Sequence, residues 1–406
     1  MKIGIIGGGA SGLFAAINAK TEGNEVIIFE RNKTCGKKLL ATGNGRCNYW
    51  NSDQQLYHYQ SQTPELIEKI INKTTEEKVL EIFDKLGIVP KIKNGYYYPF
   101  SNQASTILNV LLEEVNNKKI VVKNNFLVSN IEKYNEKFVI NSDTEKVSVD
   151  KLIISTGSFS LPKSGSDGMG YDFLKGFGHT IIKPLPALVQ LRIKGNFLKE
   201  WNGVRTDVKL SLFEDDKLIK EEGGEIQLTD YGISGICTFN LSNIVSRGLD
   251  KNKKEEISIN FLPFIDCNIY NWFIEKTNIT GKNIKNLLRG ILNDKLVNVI
   301  LKKSNINSSK TFTDLSDLEK DNLINSCISF KVLVTSTNSF EKAQVCSGGV
   351  TLSEINLNTM ESKKDKNLYI IGELLDITGD CGGYNLGIAW RSAYIAGNSI
   401  RSDSND

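Results

Sequence analysis

The chain has 406 residues, 40% of them hydrophobic and 24% charged, which are ordinary globular proportions with length enough for a large core and two domains. Fifty Lys and Arg against 47 Asp and Glu leave a formal charge of +3, too little for a polyanion to be the default partner. No apolar run reaches the roughly 18 residues of a membrane span, so a small-molecule substrate, no membrane and no nucleic acid are expected.

The chain opens on Met1-Lys2-Ile3-Gly4-Ile5-Ile6, where a strand starts at once and leaves no room for a secretory signal, which predicts a cytoplasmic protein. Seven scattered cysteines without a Cys-x-x-Cys pair suit a reducing compartment. With only two histidines, His58 and His179, no metal site is expected and hard chemistry would need a borrowed cofactor. The strand Ile3 to Ile6 runs into Gly7-Gly8-Gly9-Ala10-Ser11-Gly12 and then a helix carrying Leu13, Phe14, Ala15, Ala16 and Ile17. In this order Gly7 permits a tight turn, Gly9 lets backbone touch a pyrophosphate, and Gly12 lets helix pack on strand. The helix N-terminus at Ala10 and Ser11 supplies amides and a positive dipole end. The next strand, Val26 to Phe29, ends at Glu30 and Arg31, where the carboxylate can accept hydrogen bonds from an adenosine ribose and would repel a 2′-phosphate. These features together favour FAD or NAD over NADP.

A dense segment follows from Cys35 to Asn48. Lys37, Lys38 and Arg46 can neutralise phosphates, while Gly43 and Asn44 let backbone approach a ring. Arg46 beside Cys47 could lower that thiol's pKa, although a lone cysteine more often packs. Gly165-Ser166-Asp167-Gly168-Met169-Gly170 repeats the glycine spacing but follows Pro162 and Lys163 instead of a strand, so a separate NAD site is not expected there. Between Ile236 and Ser347 only Gly248, Gly281 and Gly290 occur. This glycine-poor stretch predicts an inserted module. Its strands would be Val208 to Phe213 and Gly224 to Leu228, joined by the turn Glu214-Asp215-Asp216. An apolar helical stripe would run from Ile284 to Ile300, and a helix would start near Ser316. Trp201, Phe239 and Trp272 are candidates for an apolar lining there. The expected domains are 1–188 with 337–406, a β-rich module 189–256, and a helical module 257–336.

Near the C-terminus another buried strand, Leu368 to Ile371, leads to Gly372-Glu373 and then to Gly382-Gly383-Tyr384-Asn385, with a helix from about Leu386. A helix N-terminus reached through glycines is a good seat for the pyrimidine edge of a flavin, and Glu373 suits its ribityl chain. Paired with the first signal, this second anchor favours FAD, with NADH or NADPH as a transient reductant. The fold class is α/β, a Rossmann-like FAD-binding domain built from both chain ends around a β-barrel-like and a small helical insert.

On these motifs, and on Tyr97-Tyr98-Pro99-Phe100-Ser101, Ser155-Thr156-Gly157, Pro186-Ala187-Leu188 and Gly348-Gly349-Val350, the sequence resembles a bacterial FAD-binding flavoprotein family. It includes aminoacetone-oxidase-like and bile-acid-inducible (3-dehydro-bile acid delta-4,6-reductase-like) enzymes of the glutathione-reductase-like superfamily. The resemblance covers nearly the whole chain. It implies adenine contacts at Leu127-Val128 and a passage of Thr156-Gly157 near the pyrophosphate or flavin. Three activities compete, the first two of them implied by the resemblance and the third disfavoured by the charge of +3. The first is NAD(P)H-driven reduction of an activated C=C bond, of bile-acid or steroid type, by hydride from flavin N5. The second is an amine oxidase that passes electrons to oxygen and forms peroxide. The third is a flavoprotein modifying nucleic acid. Enone reduction needs a proton donor beside the ring, for which Tyr384, then Tyr97, and Lys38 are the candidates.

Overall fold

The computed structural model describes residues 1–74 and 76–403, which form two units: residues 1–185 with 343–403, and residues 186–342. The first unit is organised by a seven-stranded sheet in the order Ile355–Asn356, Glu361–Ser362, Leu368–Ile370, Lys151–Ile154, Lys2–Ile6, Glu25–Phe29, Val121–Lys123. The last five are parallel, and the first two form an antiparallel hairpin at one edge. Continuous apolar runs explain this: Ile3, Ile5, Ile27, Ile28, Ile153 and Ile154 are buried, as parallel strands covered on both faces require.

From Lys2–Ile6 the chain steps to Glu25–Phe29 on one side and later to Lys151–Ile154 on the other. The carboxyl end of Lys2–Ile6 is therefore a topological switch point, where open α/β sheets bind ligands. An antiparallel meander, Asn130–Tyr134, Lys137–Asn141 and Lys146–Val149, lies against the sheet. Its Ile140 and Val149 approach so closely that a Cβ at Gly4 would fall 2.9 Å from Ile140 Cδ1. The first helix, Ala10–Ala19, packs on the C-terminal helix, Tyr384–Asp403, where a Cβ at Gly397 would lie 2.7 Å from Asn18 Cβ.

The second unit is a closed six-stranded barrel in the order Leu191–Ile193, Gly232–Ser234, Lys217–Leu228, Arg205–Glu214, Glu255–Asn260, Phe330–Thr337. The acidic hairpin turn is as expected, with Asp215 and Asp216 both at positive φ. Strands from both sides of residue 256 share the barrel, so strands and helices of this unit have one core. The apolar stripe from Ile284 is two helices, Ile284–Leu288 and Asp294–Ser304. The chain breaks at Gly290, and Asn293 caps the second by accepting from the Lys295 amide. Asp317–Ile328 begins with a capping box between Ser316 and Glu319. Trp201 is fully buried and donates from Nε1 to the Thr229 carbonyl, which makes it core. Among the described residues no helix is long and apolar enough to cross a membrane.

Candidate cofactor and active site

The glycine turn after the first strand uses each glycine differently. Gly7 has φ +102°, and a Cβ there would lie 2.6 Å from the Ser155 carbonyl oxygen. A Cβ at Gly12 would overlap the Gly7 carbonyl and sit 2.7 Å from Ser155 Oγ, so Gly12 is what lets helix meet turn. At Gly9 a Cβ would meet nothing within 4 Å. That open face belongs to a cavity that also borders Gly7, Ala10 and Ser11, at a helix N-terminus that no side chain caps.

At one end of the cavity stands Glu30, which is buried. Its Oε2 accepts from the Gly8 amide at 2.8 Å, and its Oε1 accepts from Asn32 N at 2.8 Å and Asn32 Nδ2 at 2.7 Å. Three of the roughly four acceptor positions of a carboxylate are thus used to aim it, leaving one for a ligand hydroxyl. Phe29 and Phe126, with centroids 4.8 Å apart, and Leu127 and Val128 complete an apolar wall suited to an adenine face.

The other end comes from the C-terminal segment. Gly372, at φ +70°, abuts the first helix, since a Cβ there would lie 2.5 Å from Ser11 Oγ. Glu373 is held by Lys38, by Ser160 Oγ at 2.8 Å and by the Cys346 amide at 3.1 Å. Lys38 Nζ also donates to Ser160 Oγ at 2.5 Å. Asn385 accepts from the Gly379 amide at 2.9 Å and returns a hydrogen bond to its carbonyl at 2.8 Å, fixing the entry to the C-terminal helix. Together with Leu386, Ile388 and Ala389 it lines the cavity. An uncapped helix N-terminus, a backbone face open at Gly9, an aimed carboxylate and a second anchored carboxylate are the donor and acceptor set that a long dinucleotide such as FAD requires.

The structure brings Gly7, Gly9, Ala10, Ser11, Glu30, Arg31, Lys37, Lys38, Val128, Thr156, Gly157, Gly372, Glu373, Asn385 and Leu386 to this one cavity. Others lie elsewhere. Gly12 is spent on helix packing, and Gly383 stands against the Trp50 backbone, where a Cβ would lie 2.6 Å from the Trp50 carbonyl oxygen. Gly43, Asn44 and Arg46 are exposed in a turn that takes left-handed φ at Gly43, Asn44, Gly45 and Cys47 and so carries the chain away. Arg46 lies over the Tyr98 ring. The Cys47 thiol is fully buried, and burial pushes its pKa up to about 12, opposite to the activation the sequence suggested.

Tyr384 and Tyr97 are also outside the cavity lining. Tyr384 is buried with its ring stacked on His58, centroids 4.3 Å apart, and His58 is clasped between Asp53 and Asp380 at 3.0 Å each. Tyr97 donates to Glu76 at 3.2 Å. Of the three proposed proton donors only Lys38 borders the cavity. Asn32, Phe29, Phe126 and the segment Ser164 to Asp167 also border it, beyond the contacts that the sequence motifs predict. Their only sequence signal is adjacency to Glu30, to Leu127 and to the second glycine cluster.

A family model described as HI0933-like protein Rossmann domain matches residues 1–399. The chain is 37% identical over 402 residues to the 3-dehydro-bile acid delta(4,6)-reductase of Clostridium scindens, covering 98% of each. It is 28% identical over 400 residues to the ribosomal RNA dihydrouridine synthase of Escherichia coli, covering 98% of this chain and 97% of that one. In fold it is similar to the solved 3-ketosteroid delta1-dehydrogenase from Sterolibacterium denitrificans, at TM-score 0.51, 11% identity and 99% coverage of both chains. The chain belongs to the HI0933-like Rossmann-domain family and is an FAD-dependent oxidoreductase.

Proposed function

We propose that this protein saturates a carbon-carbon double bond conjugated to a carbonyl in a small molecule of 3-oxo bile-acid or steroid type, with NADH or NADPH as the transient reductant. The observation that carries the reading is the 37% identity, over nearly the full length of both chains, to a reductase of that substrate class. The relatives named for making dihydrouridine act on a different substrate, but saturating uracil is again addition of hydrogen across a double bond beside a carbonyl. That shared chemistry favours reduction over amine oxidation. Bound FAD supplies a two-electron carrier able to pass hydride from a nicotinamide to such a bond.

The chain's own residues would then hold and polarise. Glu30 orients the ribose end, and Glu373 the opposite end, with Lys38 neutralising its charge. Lys38 Nζ gives two of its three N–H groups to Ser160 and Glu373 and keeps one for a substrate carbonyl oxygen. The second glycine cluster lies at the Glu30 end of the cavity and follows a short turn instead of a strand, so it would make no separate nicotinamide site, and the nicotinamide would visit the site that the substrate later occupies. Seven cysteines, none of them in a disulfide among the described residues, suit work in a reducing compartment such as the cytoplasm.

Anaerobic mixing with NADH and NADPH tests this. Bleaching of the flavin band by one of them, followed by reoxidation on adding a 3-oxo-Δ4 steroid, is the expected result. No bleaching by either, with rapid bleaching by aminoacetone and peroxide on admitting air, would replace the reading with the oxidase. Salt-sensitive RNA binding with reoxidation by RNA alone would move the substrate to nucleic acid.

A further inference from the structure

The second glycine cluster is part of a strap, residues 161–168, whose shape is set from within. Leu161, Gly165 and Gly168 hold positive φ of 52°, 99° and 82°. Ser164 Oγ donates to the Leu161 carbonyl at 2.7 Å, and Ser166 Oγ donates to the Ser158 carbonyl at 2.7 Å. A Cβ at Gly168 would run into the Phe159 ring. Ser164, Gly165, Ser166 and Asp167 border the same cavity as Glu30.

Two residues directly after Glu30 fasten this preformed strap. Arg31 pairs with Asp167 and donates to the Gly165 carbonyl at 3.3 Å. Asn32 donates to the Ser164 carbonyl at 3.0 Å through the same Nδ2 that holds Glu30. Asn32 also accepts from Lys37 Nζ at 3.0 Å and, through its carbonyl, from the Asn125 amide at 3.0 Å, at the start of the apolar wall. One short stretch, Glu30 to Asn32, therefore ties the ribose carboxylate, the adenine wall and the strap together. Arg31 and Asp167 neutralise each other, which leaves the Glu30 carboxylate beside the place where a 2′-phosphate would stand. That balance suits an unphosphorylated ribose.

We propose that the strap is the second wall of the adenosine end, and that its Arg31–Asp167 and Asn32–Ser164 fasteners determine how tightly the adenosine half of the dinucleotide is held. The proposal rests on the cavity being the FAD site. Both partners of the ion pair are about one-third exposed, so its effect is modest and screened by salt. The test uses apoprotein prepared from the flavin-loaded enzyme, with FAD binding read by fluorescence quenching and ADP binding by displacement of FAD. Asp167→Asn keeps the acceptor for the Met169 amide and removes the charge. Arg31→Met removes the other partner.

Both variants should keep the melting temperature of the wild-type apoprotein and weaken FAD and ADP alike, by roughly fivefold in 50 mM salt and less in 500 mM. Unchanged FAD affinity, loss of FAD affinity without loss of ADP affinity, or failure of ADP to displace FAD from the wild type would each overturn the proposal. A wild-type apoprotein that binds no FAD would instead overturn the assignment of the cavity.

Discussion

The two units of this molecule solve opposite problems with opposite residues. The cofactor unit makes its site from backbone: a turn at Gly7, an open face at Gly9, close packing at Gly12 and a contact with the first helix at Gly372. The barrel unit is nearly free of glycine between Ile236 and Lys342 and is held by interdigitated side chains such as Trp201, Leu210, Leu241, Ile257 and Phe330. Backbone that must come close to a ligand or another backbone tolerates only glycine, so function leaves a trace in the sequence of the first unit. Side-chain packing accepts many apolar solutions of similar volume, so the second unit discloses its fold class and little of its role.

The sharpest way to break this contrast is to add single methyl groups to the first helix turn. Gly12→Ala places a carbon inside the Gly7 carbonyl and should cost about 3 kcal/mol or more of stability, seen as a large drop in melting temperature and loss of flavin. Gly9→Ala, three residues away, meets only open space. It should leave the apoprotein melting temperature within about 2 °C of wild type and lower FAD affinity about tenfold or more. If both variants behave alike, the glycines serve the fold and not a ligand.

In the barrel unit the exceptional residue is Glu255. It is fully buried, no donor group reaches either of its carboxylate oxygens, and it lies beside Glu214 and against Gly248. Burial, then the negative charge of Glu214 and a hydrogen bond shared with that carboxylate, raise its pKa to about 8. Between the ordinary carboxylate value and pH 8 the folded state keeps a proton that the unfolded chain releases, so stability falls as pH rises through that window and levels off above it. Glu255→Gln removes this slope. Its unfolding free energy relative to wild type should therefore climb by about 2 to 4 kcal/mol from pH 5 to pH 8, measured by urea denaturation. A constant difference across that range would mean that Glu255 is not protonated in the fold. The smallest effect concerns thiols. Cys267 alone is exposed, Cys381 is half-buried, and the other five are buried. At pH 8 an aromatic disulfide reagent should find one fast thiol, lost in Cys267→Ser, with Cys47 unreactive until unfolding.

Much of the cofactor unit was legible because its demands are local. The strand, turn and helix from Lys2 to Ala19, the carboxylate after Phe29 and the Gly372-Glu373 anchor each need particular residues in a particular order. Tyr384 lies outside the cavity lining because adjacency in sequence is not adjacency on a helix. Successive helical side chains turn by about 100°, so Asn385 enters the cavity while Tyr384 faces His58. The segment Gly43 to Cys47 stands outside the cavity lining because four left-handed residues turn the chain just where its basic and glycine-rich composition suggests a ligand contact. Asn32 was not legible at all. Its importance comes from partners at positions 125 and 164, and no local pattern announces partners so distant.

The parallel sheet of the cofactor unit takes Leu368–Ile370 beside Lys151–Ile154, although the whole barrel unit, residues 186–342, intervenes in the chain. During synthesis the barrel is complete in sequence while the sheet still lacks that strand and the helix behind it. The ribosome thus delivers a continuous, self-contained unit before a discontinuous one that must wait, with Ile153 and Ile154 uncovered along one edge, for its last partners. Loading of the flavin is therefore a late event in the life of each molecule, and the waiting edge is where a chaperone would have most to do.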